Sequence, residues 1–267
     1  MISIAQSKLI RSLQKKKFRD LHRLFLVEGE KMVGELASGS PESHYQIHEL
    51  FASTEWIQSH RASFQQTGVN LTEASPAEIK KVSNLVTPQA VIALVHIPER
   101  SFDINELLNT PVLAFESIRD PGNLGTIIRT ADWFGIRHLV CTPDSTDLYN
   151  PKVVQSTMGA FARVRVHYLD IEDLLKREVM QQKTVFGTFL EGENIYKTSL
   201  ESDQLILFGN ESHGLSGHFD PHIRHRIAIP AFSGPESGSE SLNVASSVAV
   251  VCSEIRRRQG GTIQSGN

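Results

Sequence analysis

The stretch PVLAFESIRDPGNLGTIIRTADWFGIRHLVC (Pro111–Cys141) decides the fold class of this chain. Apolar runs over Val112–Phe115 and His138–Cys141 predict two buried strands. Between them, apolar residues recur at helical spacing over 124–134, directly after a Pro-Gly-Asn turn. A strand, a helix and a second strand in this order form a βαβ unit, whose two strands run parallel. The stretch therefore predicts an α/β fold built on a mostly parallel sheet.

The same alternation continues in both directions along the chain. Towards the C-terminus it predicts strands at Val164–Tyr168, Val185–Phe189, Leu205–Phe208 and Arg226–Ile229, and helices at 151–158, 171–181 and 242–257. Towards the N-terminus it predicts strands at Leu24–Val27, Ile47–Ala52, Val69–Leu71 and Val91–Ile97, and helices near 29–38, 54–64 and 76–84. A polar segment bounded by prolines separates the halves. We therefore predict a small α/β domain over 1–97, a linker over 98–110 and a second α/β domain over 111–267.

Composition excludes several classes of protein. The 267 residues are 40% hydrophobic and 21% charged, which is typical of a globular chain. No apolar run approaches the roughly 18 residues of a membrane span, and the N-terminus lacks the apolar core of a secretory signal. Cys141 and Cys252 both lie in apolar runs, which predicts buried thiols in a reducing compartment. No tight cluster of Cys, His and Asp occurs along the sequence, so we expect no metal. The apolar runs and the cysteines described above also lead us to expect a cytoplasmic protein with no membrane partner.

Positive charge is concentrated near the N-terminus, although the net charge is −3. Seven basic residues stand against the single acid Asp20 over positions 8–23: Lys8, Arg11, Lys15, Lys16, Lys17, Arg19 and Arg23. Such a polarised chain could bind a polyanion with one end only. A solvated surface explains the same run, and the run by itself leaves both readings open.

Three strands of the second domain are followed by unusual loops, at the sheet edge where open parallel sheets bind ligands. In the first loop, Asn123 is predicted as the helix N-cap, and Arg129 follows on the helix. In the second, Glu211 comes directly after a buried strand and must be desolvated or paired with a cation, for which Arg129 is a candidate. Neither loop contains a GxGxxG fingerprint, a P-loop or a GxSxG motif, which disfavours a nicotinamide-dependent dehydrogenase and other small-molecule enzymes.

The third loop runs from Ile229 to a small, apolar and therefore buried helix. Ser239 or Ser241 is predicted to cap that helix. Ser241 and Asn243 at the helix start are suited to a polar or anionic ligand, although ordinary capping explains them equally well.

Taken in order, these loops resemble the signature motifs of the SpoU (TrmH) family of RNA ribose 2′-O-methyltransferases, in the SPOUT superfamily. The matching residues are DPGNLGTIIRTA (Asp120–Ala131), GNESHGL (Gly209–Leu215), and IP followed by SLNVA (Ile229–Pro230 and Ser241–Ala245). QSTMGA (Gln155–Ala160) resembles the stretch that these enzymes carry between the first two motifs. The resemblance covers about 112–258, and residues 1–97 resemble the RNA substrate-binding domain of such enzymes on cues such as FLVEGEK (Phe25–Lys31).

The resemblance implies a trefoil-knotted parallel-sheet domain in a homodimer that uses S-adenosylmethionine to methylate a ribose 2′-hydroxyl in structured RNA. Ribosomal RNA is favoured over transfer RNA because a separate N-terminal domain suits a large target. A transfer RNA methyltransferase, and a catalytically inactive RNA-binding or ribosome-assembly protein of the same fold, are the alternatives. One departure from the family pattern is an insert at roughly Pro235–Ser239 in the third loop.

The resemblance also implies roles for individual residues. Five map onto substrate and catalytic positions: Asn123, Arg129, Glu211, Ser241 and Asn243. Five map onto the cofactor pocket: Gly209, Ile229 and Leu242, with Leu190 and Asn210 as further candidates. The basic segment becomes an RNA contact through Lys15, Lys16, Lys17, Arg19 and Arg23. Because arginine keeps its proton at neutral pH, Arg129 is expected to stabilise negative charge on the ribose oxygen, with Glu211 holding Arg129 or its loop in place.

Overall fold

The computed structural model describes residues 1–37, 44–64, 68–99, 101–200, 203–232 and 241–260. The helices are α1 (Ile4–Ser12), α2 (Lys16–His22), α3 (Glu30–Ala37), α4 (Thr54–Phe64), α5 (Pro76–Val82), α6 (Pro121–Trp133), α7 (Pro151–Thr157), α8 (Ile171–Leu175) and α9 (Val244–Arg258). The strands are β1 (Leu24–Glu28), β2 (Ile47–Ala52), β3 (Asn70–Glu73), β4 (Val91–His96), β5 (Val112–Phe115), β6 (His138–Cys141), β7 (Arg165–Tyr168), β8 (Thr184–Asn194), β9 (Gln204–Phe208) and β10 (His225–Ala228). Short 3₁₀ helices lie at Ile104–Leu107, Ala160–Ala162, Glu178–Gln182 and Gly217–His222.

The chain forms two compact units. The first combines Met1–Ser101 with Asp147–Arg163, and the second combines Phe102–Thr146 with Val164–Asn267. The first change of unit falls inside the segment predicted as a linker, whereas the segment 147–163, which we predicted within the second domain, belongs to the first unit. The predicted insert at Pro235–Ser239 lies outside the described residues.

The first unit holds a four-stranded sheet in the order β1-β4-β2-β3. Strand β4 runs antiparallel to both β1 and β2, and only β2 and β3 are parallel. The mostly parallel sheet predicted for this half is therefore wrong, because alternation along the chain does not determine which strands become neighbours. The predicted start of α5 is confirmed: Ser75 Oγ accepts from the backbone N–H of Glu78, whose carboxylate accepts from the backbone N–H of Ser75.

Aromatic packing and an ion pair fix the segment 147–163 in the first unit. The ring of Phe25 on β1 lies 4.7 Å from that of Tyr149 and 5.8 Å from that of Phe161, between centroids. Near the other end of the segment, the Arg163 guanidinium lies 3.1 Å from the Glu35 carboxylate. Burial of these rings explains why the segment packs here rather than with its neighbours in sequence.

The second unit holds a six-stranded sheet in the order β10-β8-β9-β5-β6-β7. All five strand pairings are parallel, which confirms the predicted α/β fold with a parallel sheet. Every residue of β5 and β9 is buried, as expected for central strands covered on both faces. Helices α6 and α9 pack against each other.

Both cysteines are buried, as the sequence predicts. Burial raises the pKa of the Cys141 and Cys252 thiols to about 12, so neither forms a reactive thiolate at neutral pH. None of the described helices is long and apolar enough to cross a membrane.

Candidate active site

The first and second loops meet where the strand order of the second sheet reverses, between β5 and β9. The backbone N–H of Glu116 donates to the carbonyl of Phe208 at 2.9 Å, and the Glu116 carboxylate accepts from the backbone N–H of Ser216 at 2.8 Å. The Asn210 side chain donates to the carbonyl of Ser117 at 2.9 Å. Crevices at such reversals are the usual ligand sites of open parallel sheets. Sequence reasoning missed Glu116, whose signal was an acid directly after a buried strand.

Asp120, not Asn123, caps α6, so the predicted cap is wrong. The Asp120 carboxylate accepts from the backbone N–H of Asn123 at 2.8 Å, and the helix begins at Pro121. Proline favours the first helical position, which places the cap one residue earlier. The Asn123 amide is thereby free to donate to Glu211 Oε1 at 2.5 Å and to accept from Asn243 Nδ2 at 3.0 Å.

Asn243 caps α9 and simultaneously extends this hydrogen-bonded chain. Its Oδ1 accepts from the backbone N–H groups of Ala245 at 3.0 Å and Ser246 at 3.3 Å, while its amide donates to Asn123. The predicted cap Ser241 is exposed and does not cap the helix, and the alternative, Ser239, lies outside the described residues. The site therefore contains a chain of three side chains, Glu211–Asn123–Asn243, one from each loop, which we call the three-loop network.

The predicted pairing of Glu211 with Arg129 is wrong, because the Glu211 carboxylate bonds the Asn123 amide instead. Arg129 is exposed and makes no hydrogen bond or ion pair within the described part of the chain. At 3.6 residues per turn, Arg129 projects roughly 120° around the helix axis from Asn123. Trp133 lies one turn beyond Arg129 on the same stripe and is 85% exposed.

The second loop folds tightly on itself. Asn210 and Gly214 exchange backbone hydrogen bonds of 3.0 and 2.9 Å, and the Asn210 side chain accepts from the backbone N–H of Ser212 at 2.8 Å. A Cβ added to Gly209 would lie 2.1 Å from the carbonyl carbon of Gly214. The candidate Gly209 is therefore required by the turn itself, whatever else it contacts.

The remaining cofactor candidates are apolar and accessible. Leu190 is 75% exposed and lies on β8, in the irregular part of its pairing with β10. Ile229 follows directly after β10 and is partly exposed, while Leu242 precedes Asn243 and is 54% exposed. Apolar side chains left in water near a polar network suit a ligand with both an apolar and a polar part.

The basic segment divides into exposed lysines and one buried arginine. Lys15, Lys16 and Lys17 are exposed, and Arg23 is exposed with its guanidinium 3.4 Å from two backbone carbonyls of the segment after β4. Arg19, in contrast, is 2% exposed, and two of its nitrogens donate to one Asp147 oxygen at 2.6 and 3.1 Å.

Arg19 therefore cannot contact RNA in this conformation, which corrects its predicted role. Besides bonding Asp147, its guanidinium donates to the carbonyls of Leu13 and Gln14 at 2.8 and 2.9 Å. These bonds tie α1, α2 and the segment 147–163 together, so Arg19 has a structural role that a count of charges could not reveal.

The chain is thus an α/β protein whose linked polar loops lie at the carboxyl edge of a parallel sheet, the edge at which such sheets bind ligands. The SpoU rRNA Methylase family model matches residues 110–253, and the MRM3-like substrate binding domain model matches residues 5–93. The chain belongs to the SpoU rRNA methylase family, and the resemblance drawn from its three motifs is confirmed.

Proteins similar to this chain include one curated relative and two solved structures. The 23S rRNA (guanosine(2553)-2′-O)-methyltransferase RlmP of Bacillus subtilis is 29% identical over 92% of this chain and 94% of its own. A TrmH-family structure from Porphyromonas gingivalis is 36% identical, with a TM-score of 0.81 over 97% of this chain and 99% of the other. An AdoMet-bound rRNA methyltransferase from Sinorhizobium meliloti is 27% identical, with a TM-score of 0.81 over 97% of both chains.

Proposed function

We propose that this chain transfers the methyl group of S-adenosylmethionine to the ribose 2′-hydroxyl of a nucleotide in ribosomal RNA. The observation that carries the proposal is the three-loop network, which links one side chain from each family motif at the carboxyl edge of the sheet. The relatives support the reaction, since RlmP is named for 2′-O-methylation of 23S rRNA and the S. meliloti structure contains AdoMet. An inactive RNA-binding protein would have no need of three side chains linked across separate loops.

The cofactor candidates fit S-adenosylmethionine by their chemistry. Leu190, Ile229 and Leu242 offer accessible apolar surface of the kind that an adenine ring would cover. Gly209 allows the tight turn of the second loop, since a side chain there would collide with the backbone of Gly214. When bound, the cofactor supplies an activated methyl group on a sulfonium, so the protein's task is to align the ribose oxygen and ease loss of its proton.

Each polar residue then has a task set by its surroundings. Asn123 is held from both sides, by Glu211 and by Asn243, so its amide is fixed as a positioning group for the ribose or its phosphate. The Arg129 guanidinium stabilises negative charge on the ribose oxygen. Glu211 acts through Asn123 as a positioning residue. Ser241, exposed at the start of the third motif, is left as a substrate contact.

The working form is a homodimer of a trefoil-knotted domain, in which Arg129 acts on the partner's substrate. Arg129 is exposed, lies on one stripe of α6 with the exposed Trp133, about 120° around the axis from Asn123, and bonds no described residue, so it is available to the site of a second copy. A tryptophan exposed to 85% next to an arginine is the composition of an interface centre. A second copy covering this stripe would bring Arg129 to the other copy's site.

Mixing two inactive variants tests both the dimer and the role of Arg129. We expect Arg129→Ala and Asn123→Ala each to be inactive alone. When the two variants are unfolded and refolded together in equal amounts, half of the dimers should be mixed, and each mixed dimer should have one intact site of its two. About one quarter of the wild-type number of active sites should therefore be restored. No recovery, with mixed dimers present, would place Arg129 and Asn123 in one chain's site. A monomer in sedimentation would refute the dimer.

Transfer of labelled methyl from S-adenosylmethionine to total RNA from cells lacking this gene tests the reaction itself. We expect label in a 2′-O-methyl nucleoside of ribosomal RNA, and label in transfer RNA would favour the alternative substrate. No transfer to any RNA, together with no binding of the cofactor, would favour a binding-only protein. The exposed Lys15, Lys16 and Lys17 contact the RNA. The protein is cytoplasmic, a location that suits its free, buried thiols.

A further inference from the structure

Three metal-binding side chains that are far apart in sequence come together in the second unit. Glu106 lies on the 3₁₀ helix Ile104–Leu107, His138 is the first residue of β6, and His167 lies on β7. One ligand atom from each lies within 4.8 Å of the other two, and the described residues contain no other such group of three. We propose that Glu106, His138 and His167 form a zinc site.

The two histidines already have the spacing that zinc requires. Strands β6 and β7 pair so that Val140 lies opposite His167 and His138 lies opposite Arg165, which places both imidazoles on one face. Nδ1 of His138 lies 3.2 Å from Nε2 of His167. Tetrahedral zinc with Zn–N distances of about 2.0–2.1 Å holds two nitrogens roughly 3.3–3.4 Å apart. The spacing of the two nitrogens therefore suits zinc. The two rings are nearly parallel, at 9° between planes, so they must turn until both nitrogen lone pairs meet the ion, and the shared proton would move to an outer ring nitrogen.

Glu106 completes the site while also bonding Arg165. The Arg165 guanidinium donates to Oε1 of Glu106, which leaves Oε2 for a metal. The Glu106 and His167 side chains are partly exposed and that of His138 is buried, so an ion would enter past Glu106 and His167, and a water can occupy a fourth position. Besides Arg165, the cations Arg137 and Lys183 lie near enough to act electrostatically on His138. Their positive charge disfavours binding of a doubly charged metal ion.

This surrounding positive charge selects among metals. Magnesium and calcium depend on several charged oxygen ligands, and only one carboxylate is present here. Zinc binds imidazole nitrogen strongly enough to tolerate nearby cations, so this donor set suits zinc better than magnesium or calcium. His138 begins its strand, whereas the three-loop network follows the carboxyl ends of the strands, so the ion would brace the 3₁₀ helix against β6 and β7 rather than take part in methyl transfer.

The chain contains its own control. In the first unit, Nδ1 of His48 and Nε2 of His96 also lie 3.2 Å apart, but no third ligand of a described residue joins them. If a close pair of histidines sufficed for zinc, both pairs would bind. If the carboxylate is needed, only the site with Glu106 binds at low concentration.

Zinc titration of the full chain, without a polyhistidine tag and at pH 7.5, tests the proposal. We expect one zinc ion per chain at micromolar concentration, a higher melting temperature with zinc, and a tetrahedral absorption spectrum when cobalt replaces zinc. His138→Ala and His167→Ala should each weaken binding at least about tenfold, as should Glu106→Gln, while His48→Ala leaves binding unchanged.

Arg165→Gln supplies the sharpest test, because it removes the cation that competes for Glu106. The zinc-site proposal expects tighter binding in this variant, provided that circular dichroism shows it folded. No zinc binding by the folded wild-type chain, or binding that survives loss of both His138 and His167, would overturn it. Weaker binding in folded Arg165→Gln would overturn the part assigned to Glu106.

Methyl transfer is a separate readout, since we expect the His138 and His167 variants to keep it.

Discussion

Substitution of Glu211 distinguishes a positioning residue from a group that accepts the proton of the ribose hydroxyl. The amide of Asn123 donates to Oε1 of Glu211 at 2.5 Å. In Glu211→Gln an uncharged oxygen remains at that position and can accept the same bond, whereas Glu211→Ala removes the acceptor. A proton acceptor would be lost equally in both variants, because an amide cannot take up a proton at neutral pH.

The size of the effect follows from the bond that is lost. A hydrogen bond to a charged acceptor contributes about 1.5–3 kcal/mol, and the exposure of Glu211 favours the lower half of that range. We therefore expect Glu211→Ala to lower kcat/KM roughly 10–40-fold, since about 1.4 kcal/mol corresponds to a factor of ten. Glu211→Gln keeps a neutral bond and should lose no more than about fivefold.

Methyl transfer at saturating cofactor and at RNA concentrations well below KM measures these effects on kcat/KM, with melting temperature as the control for folding. His213→Ala is the matched control, because His213 lies in the same loop, is exposed and should change the rate less than about twofold. A Glu211→Gln variant as slow as Glu211→Ala, with a loss near a thousandfold, would show that Glu211 takes the proton. A rate within twofold of wild type in Glu211→Ala would refute the role of the network.

Three further predictions concern stability and RNA binding. Arg19→Ala should lower the free energy of unfolding by about 3–5 kcal/mol in chemical denaturation, because it leaves the partly buried Asp147 without its partner; an RNA-contact role would instead leave stability unchanged. Replacing Lys15–Lys17 by alanine should reduce the slope of log K for RNA against log salt by about 2–3, and an unchanged slope would return these lysines to a solvated surface. Hydrogen bonds from Arg257 and Arg258 lower the pKa of Glu254 to about 2, so its contribution to stability is complete above about pH 4.5 and is lost as the pH falls towards 2. Glu254→Gln should therefore be less stable than wild type at pH 7 but approach it at pH 2, and a difference independent of pH would contradict this.

Local patterns in the sequence predicted much of the fold and the three loops of the site. Apolar runs identified five strands of the second sheet to within one residue, since a buried strand must be apolar along its length. The prediction for β8 stopped at Phe189, because the exposed second half of that strand, which ends at Asn194, is mostly polar. The start of α5 was predictable because a capping box involves residues only three apart. The cap of α6 could also have been found from Pro121, which marks the first helical position more firmly than Asn123 marks a cap.

Contacts between distant residues were decided by tertiary structure alone. The order of the strands, the burial of Arg19 against Asp147 and the bond between Asn123 and Glu211 join positions whose spacing carries no periodic signal. The cluster of Glu106, His138 and His167 is the clearest case, because a sequence scan for nearby ligands predicted no metal site. The sequence determines which side chains lie on one face of a helix or strand. Which side chains of different helices and strands come into contact depends on the packing that buries the most apolar surface and satisfies the most polar groups.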